Sequence, residues 1–192
     1  MTGRTHLIGG LLFGTAATCL LKDPSILDMG IVVTTALCGS VLPDLDQTHS
    51  MAGKKVRIVS YPIYILRKLF AWLGKKTGLK LFKRIARDLS HRGILHAPLF
   101  WLLLLTVAWF MIPQVAILLP CLIGLLSGLA SHLVLDTFNP TGIAWLYPIQ
   151  KKIHIGRVIT GARSEVIFNS VLSAGCALVI GLCIAFHITK FL

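Results

Sequence analysis

Charged residues are scarce in this chain, and acidic residues are the scarcest. Only 14% of its 192 residues are charged, with seven Asp and Glu against nineteen Lys and Arg. Hydrophobic residues make up 55% of the chain, and the mean hydropathy is +0.80. Such a composition leaves too few polar side chains to cover a water-facing surface. It excludes a soluble enzyme and is typical of an integral membrane protein.

Cysteine motifs, repeats and linkers are also missing. None of the five cysteines stands in a CxxC pair, so their spacing indicates neither a thiolate zinc site nor a dithiol redox pair. All five lie in apolar stretches, and we interpret them as small buried hydrophobic residues. Because the sequence contains no internal repeat and no low-complexity linker, we expect one integral membrane domain over residues 1–192.

Five apolar stretches are candidate membrane spans, since about 20 residues cross a hydrocarbon core of about 30 Å. They cover residues 7–21, 26–42, 97–112, 115–135 and 166–188. The first is as short as a signal-peptide core, but no small-residue cleavage site and soluble domain follow it, so we interpret it as a helix. Pro113 predicts a tight turn between the third and fourth stretches, because proline cannot continue a helix. The predicted fold class is an all-α polytopic membrane protein with about five transmembrane helices.

The net charge of +12 is distributed unevenly. Twelve of the nineteen Lys and Arg lie between Lys54 and Arg92, and four more lie between the fourth and fifth stretches. The positive-inside bias places both basic loops and the amino terminus in the cytoplasm, and five spans then place the carboxyl terminus in the periplasm. Because topology accounts for most of the charge, we expect no direct contact with nucleic acid.

The segment 47–92 combines this basic charge with apolar residues at helical spacing. One stripe contains Ile65, Leu66, Leu69, Phe70, Trp72 and Leu73, and a second contains Leu79, Phe82, Ile85 or Ala86, and Leu89. The pattern predicts one or two amphipathic helices in the membrane plane, with basic side chains against anionic lipid headgroups. The alternative is a basic arm that binds nucleic acid or an acidic protein.

Ionisable residues concentrate at the predicted cytoplasmic ends of the spans. Four of the seven Asp and Glu and four of the seven His belong to five such places: His6, Asp44 with Asp46, His91 with His96, His132 with Asp136, and Glu165. Ionisable groups at membrane helix ends are costly and usually functional. Histidines mixed with carboxylates are typical ligands of a divalent metal. The sequence therefore predicts a metal site at one face of the membrane.

Two of these places have informative spacing. His132 and Asp136 are four residues apart, so on a helix both side chains lie on one face. Pro43 ends the second span, and the alternation of Asp44 and Asp46 could direct both carboxylates to the same side. Such a pair could flank two metals, or divide into one ligand and one general base. The alternative is a pair of solvated helix-end aspartates.

The remaining places are weaker by themselves. Gly93 permits a turn that could bring His91 and His96 inward, and the planar cation of Arg92 suits a phosphate oxygen. The alternative for these residues is ordinary contact with the membrane interface. Glu165 could be a ligand or an acid/base group, or it could simply complement a helix N-terminus.

In their order and spacing, these motifs resemble the YdjM-type family, described as LexA-binding, inner-membrane-associated metal-dependent hydrolases. The resemblance covers about residues 2–170 and rests on Thr5-His6, 39–46, 91–96, 132–136 with 139–142 and Pro148, and 161–165. One departure is Asn139, where the family usually has threonine, but no proposed ligand is affected. The resemblance implies hydrolysis, a divalent metal, the bacterial inner membrane and a LexA-type repressor as a soluble partner. The order His, Asp, HxxxD is also similar to zinc-dependent phospholipase C.

The preferred hypothesis is an enzyme that hydrolyses a phosphate ester of a membrane lipid or lipid-linked metabolite. It would use one to three divalent ions, zinc before manganese or iron. The predicted ligands are His6, Asp44, His91, His96, His132 and Asp136. Asp46 or Glu165 would be the general base, and Arg92 a phosphate contact. The alternative is a non-catalytic scaffold with a structural metal, whose basic segment recruits a soluble partner. A metal transporter ranks last, because the spans offer mainly Ser and Thr near the midplane.

Overall fold

The computed structural model describes residues 1–111 and 117–191, and within those ranges it confirms an all-helical fold. Its α-helices are α1 Gly3–Thr18, α2 Ile26–Gly39, α3 Met51–Lys55, α4 Arg57–Thr77, α5 Lys80–Asp88, α6 Pro98–Met111, α7 Leu118–Thr137 and α8 Arg163–Phe191. Two short 3₁₀ helices, Pro43–Asp46 and Ile94–His96, follow α2 and precede α6. The extended pairing in the described part is a single bridge between Ile143 and Ile153.

Apolar helices occupy all five stretches predicted as spans, namely α1, α2, α6, α7 and α8. Three of them are long and apolar enough to cross a membrane: Ile26–Asp46, in which the 3₁₀ helix extends α2, Leu118–Thr137 and Arg163–His187. The helices α1 and α6 are shorter, with 16 and 14 residues. The count of about five spans therefore stays a prediction. The turn predicted at Pro113 lies outside the described residues.

Glycines allow α2 and α7 to pack closely, and α1 packs against both. Gly124 and Gly128 of α7 lie against the backbone carbonyls of Val32 and Ala36 in α2, so a Cβ at either glycine would overlap these oxygens. Gly39 of α2 lies equally close to the backbone of α7. Small residues at such contacts are usual in membranes, where helix association depends on close van der Waals packing. Because this contact fixes α7 against α2, it also fixes the position of the end of α7, with His132 and Asp136, relative to Asp44 and Asp46 after α2.

The ionisable residues gather at one common end of the apolar helices. Helices α1, α6 and α8 begin at that end, and α2 and α7 finish there. The parallel direction of α1 and α8 is clear from their contacts. Glu165 accepts a hydrogen bond from Thr5 near the start of both helices, and the Sγ atoms of Cys19 and Cys183 lie 3.4 Å apart towards the other end. The alternating directions agree with a chain that crosses a membrane an odd number of times.

The basic segment 47–92 is helical as predicted. Helix α4 ends at Gly78, whose φ of +73° is the left-handed conformation common after a helix. The chain then turns back, and the ring centroids of Phe70 in α4 and Phe82 in α5 lie 6.0 Å apart. One side of α4 exposes large apolar side chains: Ile58, Ile65, Leu66, Leu69 and Trp72. The orientation of this hairpin in the membrane plane stays a prediction.

Candidate metal centre

Side chains that are distant in the sequence meet in one cluster at the common end of the helices. This polar cluster consists of His6, Asp44, Asp46, His91, Arg92, His96, His132 and Asp136. Seven of its members are buried. The exception is His91, whose side chain is 34% exposed. The structure therefore brings together all six residues predicted as metal ligands.

Asp136 lies at the centre of the polar cluster. Its Oδ1 is 3.5 Å from Nε2 of His6. Its Oδ2 is 3.0 Å from Nη2 of Arg92 and 3.8 Å from Nε2 of His96. Nε2 of His132, one helical turn earlier, is 4.0 Å from the same Oδ2, so the two side chains do share a helix face. One carboxylate thus contacts residues from three separate elements.

Oxygen atoms face Nδ1 of three histidines and orient their rings. Nδ1 of His132 is 2.7 Å from the carbonyl oxygen of Ser40. A carbonyl only accepts, so this nitrogen carries the proton and Nε2 keeps its lone pair. The carboxylate of Asp46 lies 3.0 Å from Nδ1 of His91 and 3.4 Å from Nδ1 of His96. Carbonyls and carboxylates orient metal-binding histidines in the same way. The arrangement favours a free lone pair on Nε2 of His91 and His132, whereas Nδ1 of His96 makes no hydrogen bond among the described residues.

Two carboxylate oxygens lie near the contact between two facing imidazoles. The Nε2 atoms of His96 and His132 face each other at 3.2 Å. Oδ1 of Asp44 lies 3.9 Å from each of them, and Oδ2 of Asp136 lies 3.8 and 4.0 Å away. Ligand atoms in tetrahedral zinc sites lie about 3.3 Å apart when the bonds are about 2.0 Å long. The separation of the two Nε2 atoms therefore matches that of two ligands of one zinc ion, and the carboxylate oxygens lie somewhat farther from them.

The donors also form two adjoining groups of three. Within each group, one ligand atom per residue lies within 4.8 Å of the others. The groups are His6, His132 and Asp136, and Asp44, His91 and His96. They meet where His96 contacts His132. This donor set could hold one ion or two.

His6 supplies independent support for a cation. Its ring stacks on that of His132 with a centroid separation of 3.8 Å. Although the side chain is fully buried, neither ring nitrogen has a hydrogen-bond partner among the described residues. Leaving buried polar atoms unsatisfied is costly. Coordination of a cation by Nε2, beside Asp136, would satisfy one of them.

The charge of the polar cluster also fits a divalent metal. Its three carboxylates are opposed by the guanidinium of Arg92 and by the amino group of Met1, which lies 3.1 Å from Oδ1 of Asp136. Burial lowers the pKa of His96 below its ordinary value, so this imidazole is neutral at pH 7. Apart from the imidazoles, three carboxylates against two cations leave one negative charge uncompensated, and buried charges require compensation.

Arg92 is anchored inside the polar cluster. Its Nη2 pairs with Asp136, while its Nη1 donates to the carbonyl oxygen of Gly142 at 3.0 Å and contacts the hydroxyl of Thr141. Asn139 accepts hydrogen bonds from the N–H and hydroxyl of Thr141 and so orders this loop. The predicted phosphate contact by Arg92 stays a prediction, because its guanidinium is already occupied.

Glu165 joins α8 to α1 at the edge of the site. Its Oε1 accepts hydrogen bonds from the N–H of Thr2 and the hydroxyl of Thr5, both at 2.6 Å. Its Oε2 accepts from the N–H of Gly161 at 2.7 Å. Because Thr5 directly precedes His6, these bonds hold the first turn of α8 close to His6. The catalytic role predicted for Glu165 stays a prediction.

Comparisons with known proteins were consistent with the predicted resemblance. The profile of the family described as YdjM inner membrane protein matches residues 1–191. The uncharacterized protein YvsG of Bacillus subtilis is 28% identical over 166 residues, covering 86% of this chain and 85% of the relative. The inner membrane protein YdjM of Escherichia coli is 25% identical over 155 residues, covering 77% of this chain and 67% of the relative. No solved structure matches significantly.

Proposed function

The chain belongs to the YdjM family of inner membrane proteins, and from this premise we propose that it is a membrane-embedded, metal-dependent hydrolase of phosphate esters. The facing Nε2 atoms of His96 and His132, 3.2 Å apart between two carboxylates, are the observation that supports this proposal best. A divalent ion bound there would polarise a phosphoryl oxygen and lower the pKa of a bound water to about 7. Imidazole and carboxylate donors without thiolate suit zinc, with manganese or iron as alternatives.

The residues around the ligands take positioning roles in this proposal. Asp46 orients His91 and His96, and its backbone partner, the N–H of Arg92 at 3.3 Å, holds the carboxylate in place. Of the two candidate general bases, Asp46 is favoured over Glu165, because Asp46 contacts two of the proposed ligands. Arg92 holds Asp136 against the ligands.

The metal proposal is tested on the detergent-purified protein. Chelation should remove a stoichiometric transition metal and abolish hydrolysis of a phospholipid panel, and zinc should restore both. His132→Ala should weaken metal binding by at least about 100-fold, because it removes a ligand and not merely a supporting contact. The matched control is His154→Ala, which changes an exposed histidine in a loop.

Other outcomes of this experiment lead to different conclusions. Full hydrolysis by the chelated protein would contradict the proposed mechanism. Loss of stability on metal removal, with no turnover of any phosphate ester, would instead favour a scaffold with a structural metal. That scaffold would recruit a soluble partner, such as a LexA-type repressor, through the basic segment.

We also propose that the amino terminus lies in the cytoplasm and the carboxyl terminus in the periplasm. The parallel α1 and α8 and the basic segment 47–92 support five crossings with the polar cluster on the inner side. A reporter enzyme that needs disulfides should therefore be active when fused after Leu192, since disulfides form in the periplasm. The same reporter inserted in the segment 47–92 should be inactive. The reverse result would contradict this orientation.

A further inference from the structure

The polar cluster is accessible from outside at His91, the member with a substantially exposed side chain. A cavity of about 180 Å³ lies at this position, between the end of α5 and the loop that follows α7. His91 and Arg92 form its inner wall. Arg87 of α5 and Lys152 of the loop also line it, and both are exposed. A substrate that enters here meets two cations before it reaches the proposed ligands.

One carboxylate, that of Asp88, also lines this cavity. It lies 4.0 Å from Nε of Arg87, but Nε of Arg84 is equally close at 3.9 Å and Nε2 of Gln150 lies at 3.5 Å. Arg84 does not line the cavity, so it compensates Asp88 from outside. The charges of Arg87 and Lys152 are therefore available to an anion.

Arg92 cannot easily serve the same anion. Both of its Nη atoms are occupied by Asp136, Thr141 and Gly142, and releasing them would leave Asp136 without its guanidinium partner. The phosphate contact that the sequence suggested for Arg92 is better supplied by Arg87 and Lys152, which line the same cavity.

The location of the cavity favours a lipid over a soluble metabolite. Helix α5 pairs with α4, whose exposed apolar residues include Leu69 and Trp72. Helices with an apolar face and a basic face lie at the boundary between headgroups and acyl chains. At the depth predicted for this hairpin, the cavity would open at the level of the phospholipid headgroups.

We propose that this cavity binds the phosphorylated headgroup of an anionic membrane lipid, with Arg87 and Lys152 holding the phosphate oxygens beside His91. This inference rests on the proposed function, because it places a phosphate ester next to the proposed metal ligands. It selects an anionic lipid among the phosphate esters considered above and adds two residues that recognise its headgroup. Arg87 and Lys152 were among the basic residues that the sequence assigned only to topology and the membrane surface.

The test is a binding titration of the purified protein with short-chain dihexanoyl phosphatidylglycerol. The double variant Arg87→Gln/Lys152→Gln should bind this lipid at least tenfold more weakly, because two charge-assisted hydrogen bonds are lost. The matched control Lys80→Gln/Lys151→Gln removes the same charge from exposed positions of α5 and of the loop that do not line the cavity, and should bind within twofold of the unmodified protein.

Further measurements distinguish the ways in which the proposed headgroup site could be wrong. Equal weakening in both double variants would overturn the site, since it would indicate general surface charge. Inorganic phosphate that competes at the affinity of the lipid would overturn the lipid assignment. His132→Ala should still bind the lipid although it turns over no ester. Lipid binding without turnover in the unmodified protein would overturn the proposed hydrolase and support the headgroup site.

Discussion

Replacing Asp136 by asparagine should abolish both metal binding and hydrolysis, the largest effect expected of any single substitution in this chain. The carboxylate contacts His6 and Arg92 and lies within 4.0 Å of both His96 and His132. The amide is similar in size but carries no charge, so the proposed site loses a ligand and Arg92 loses its buried counter-ion. Breaking a buried ion pair by removing one partner costs about 3–5 kcal/mol. We therefore expect a clear loss of thermal stability together with the loss of metal.

The control for this substitution is Asp88→Asn. Asp88 pairs with exposed arginines, and such pairs contribute about 0–1 kcal/mol. Its substitution should leave metal content unchanged. Elemental analysis and thermal unfolding, carried out on both variants in parallel, measure the difference. An Asp136→Asn protein that retains a full complement of metal would contradict the metal centre.

Gly128→Ala should disrupt the same site without changing any ligand. A Cβ at this position would overlap the carbonyl oxygen of Ala36 and approach the backbone nitrogen of Ser40 to 2.8 Å. The helices α2 and α7 would have to separate, and the hydrogen bond of 2.7 Å from His132 to the carbonyl of Ser40 spans that contact. Overpacking typically costs about 1–3 kcal/mol. Loss of an orienting partner typically weakens metal binding about 10–100-fold.

Gly175→Ala in α8 is the matched control, because nothing lies within 4 Å of a Cβ there. Alanine is the better helix former, so this substitution should be neutral or should stabilise the protein by up to about 1 kcal/mol. Metal titrations and thermal unfolding of the two variants provide the comparison. If Gly128→Ala binds metal as tightly as Gly175→Ala, the α2–α7 contact does not position the site.

Local sequence features predicted much of the architecture. Apolar length alone located all five apolar helices, and the spacing of basic and apolar residues predicted the helices of segment 47–92. The four-residue separation of His132 and Asp136 predicted a shared helix face, which the structure has. These features are local, because they depend only on the helical repeat and on hydrophobicity.

Other features of the site could not be predicted from local sequence patterns, because they depend on contacts between distant segments. The sequence did not predict that the guanidinium of Arg92 binds Asp136 and the loop at Thr141, and the phosphate contact that it suggested for Arg92 stays a prediction. Nor did the sequence predict that the oxygens of Glu165 accept hydrogen bonds from residues at the starts of α1 and α8, and its role as a ligand or base stays a prediction. Both arrangements join segments that are more than 40 residues apart, and no sequence periodicity reports such a contact.

The sequence by itself determined that this protein is a helical membrane protein of the YdjM family, with its histidines and carboxylates at helix ends and its positive charge in two loops. Only the tertiary structure decided that six potential ligands share one buried cluster, that Asp46 orients two of them, and that the cluster opens at His91 beside Arg87 and Lys152. The physical reason is that hydrophobicity and charge act on each segment separately. The meeting of the side chains depends on how closely the glycines let α1, α2 and α7 approach one another.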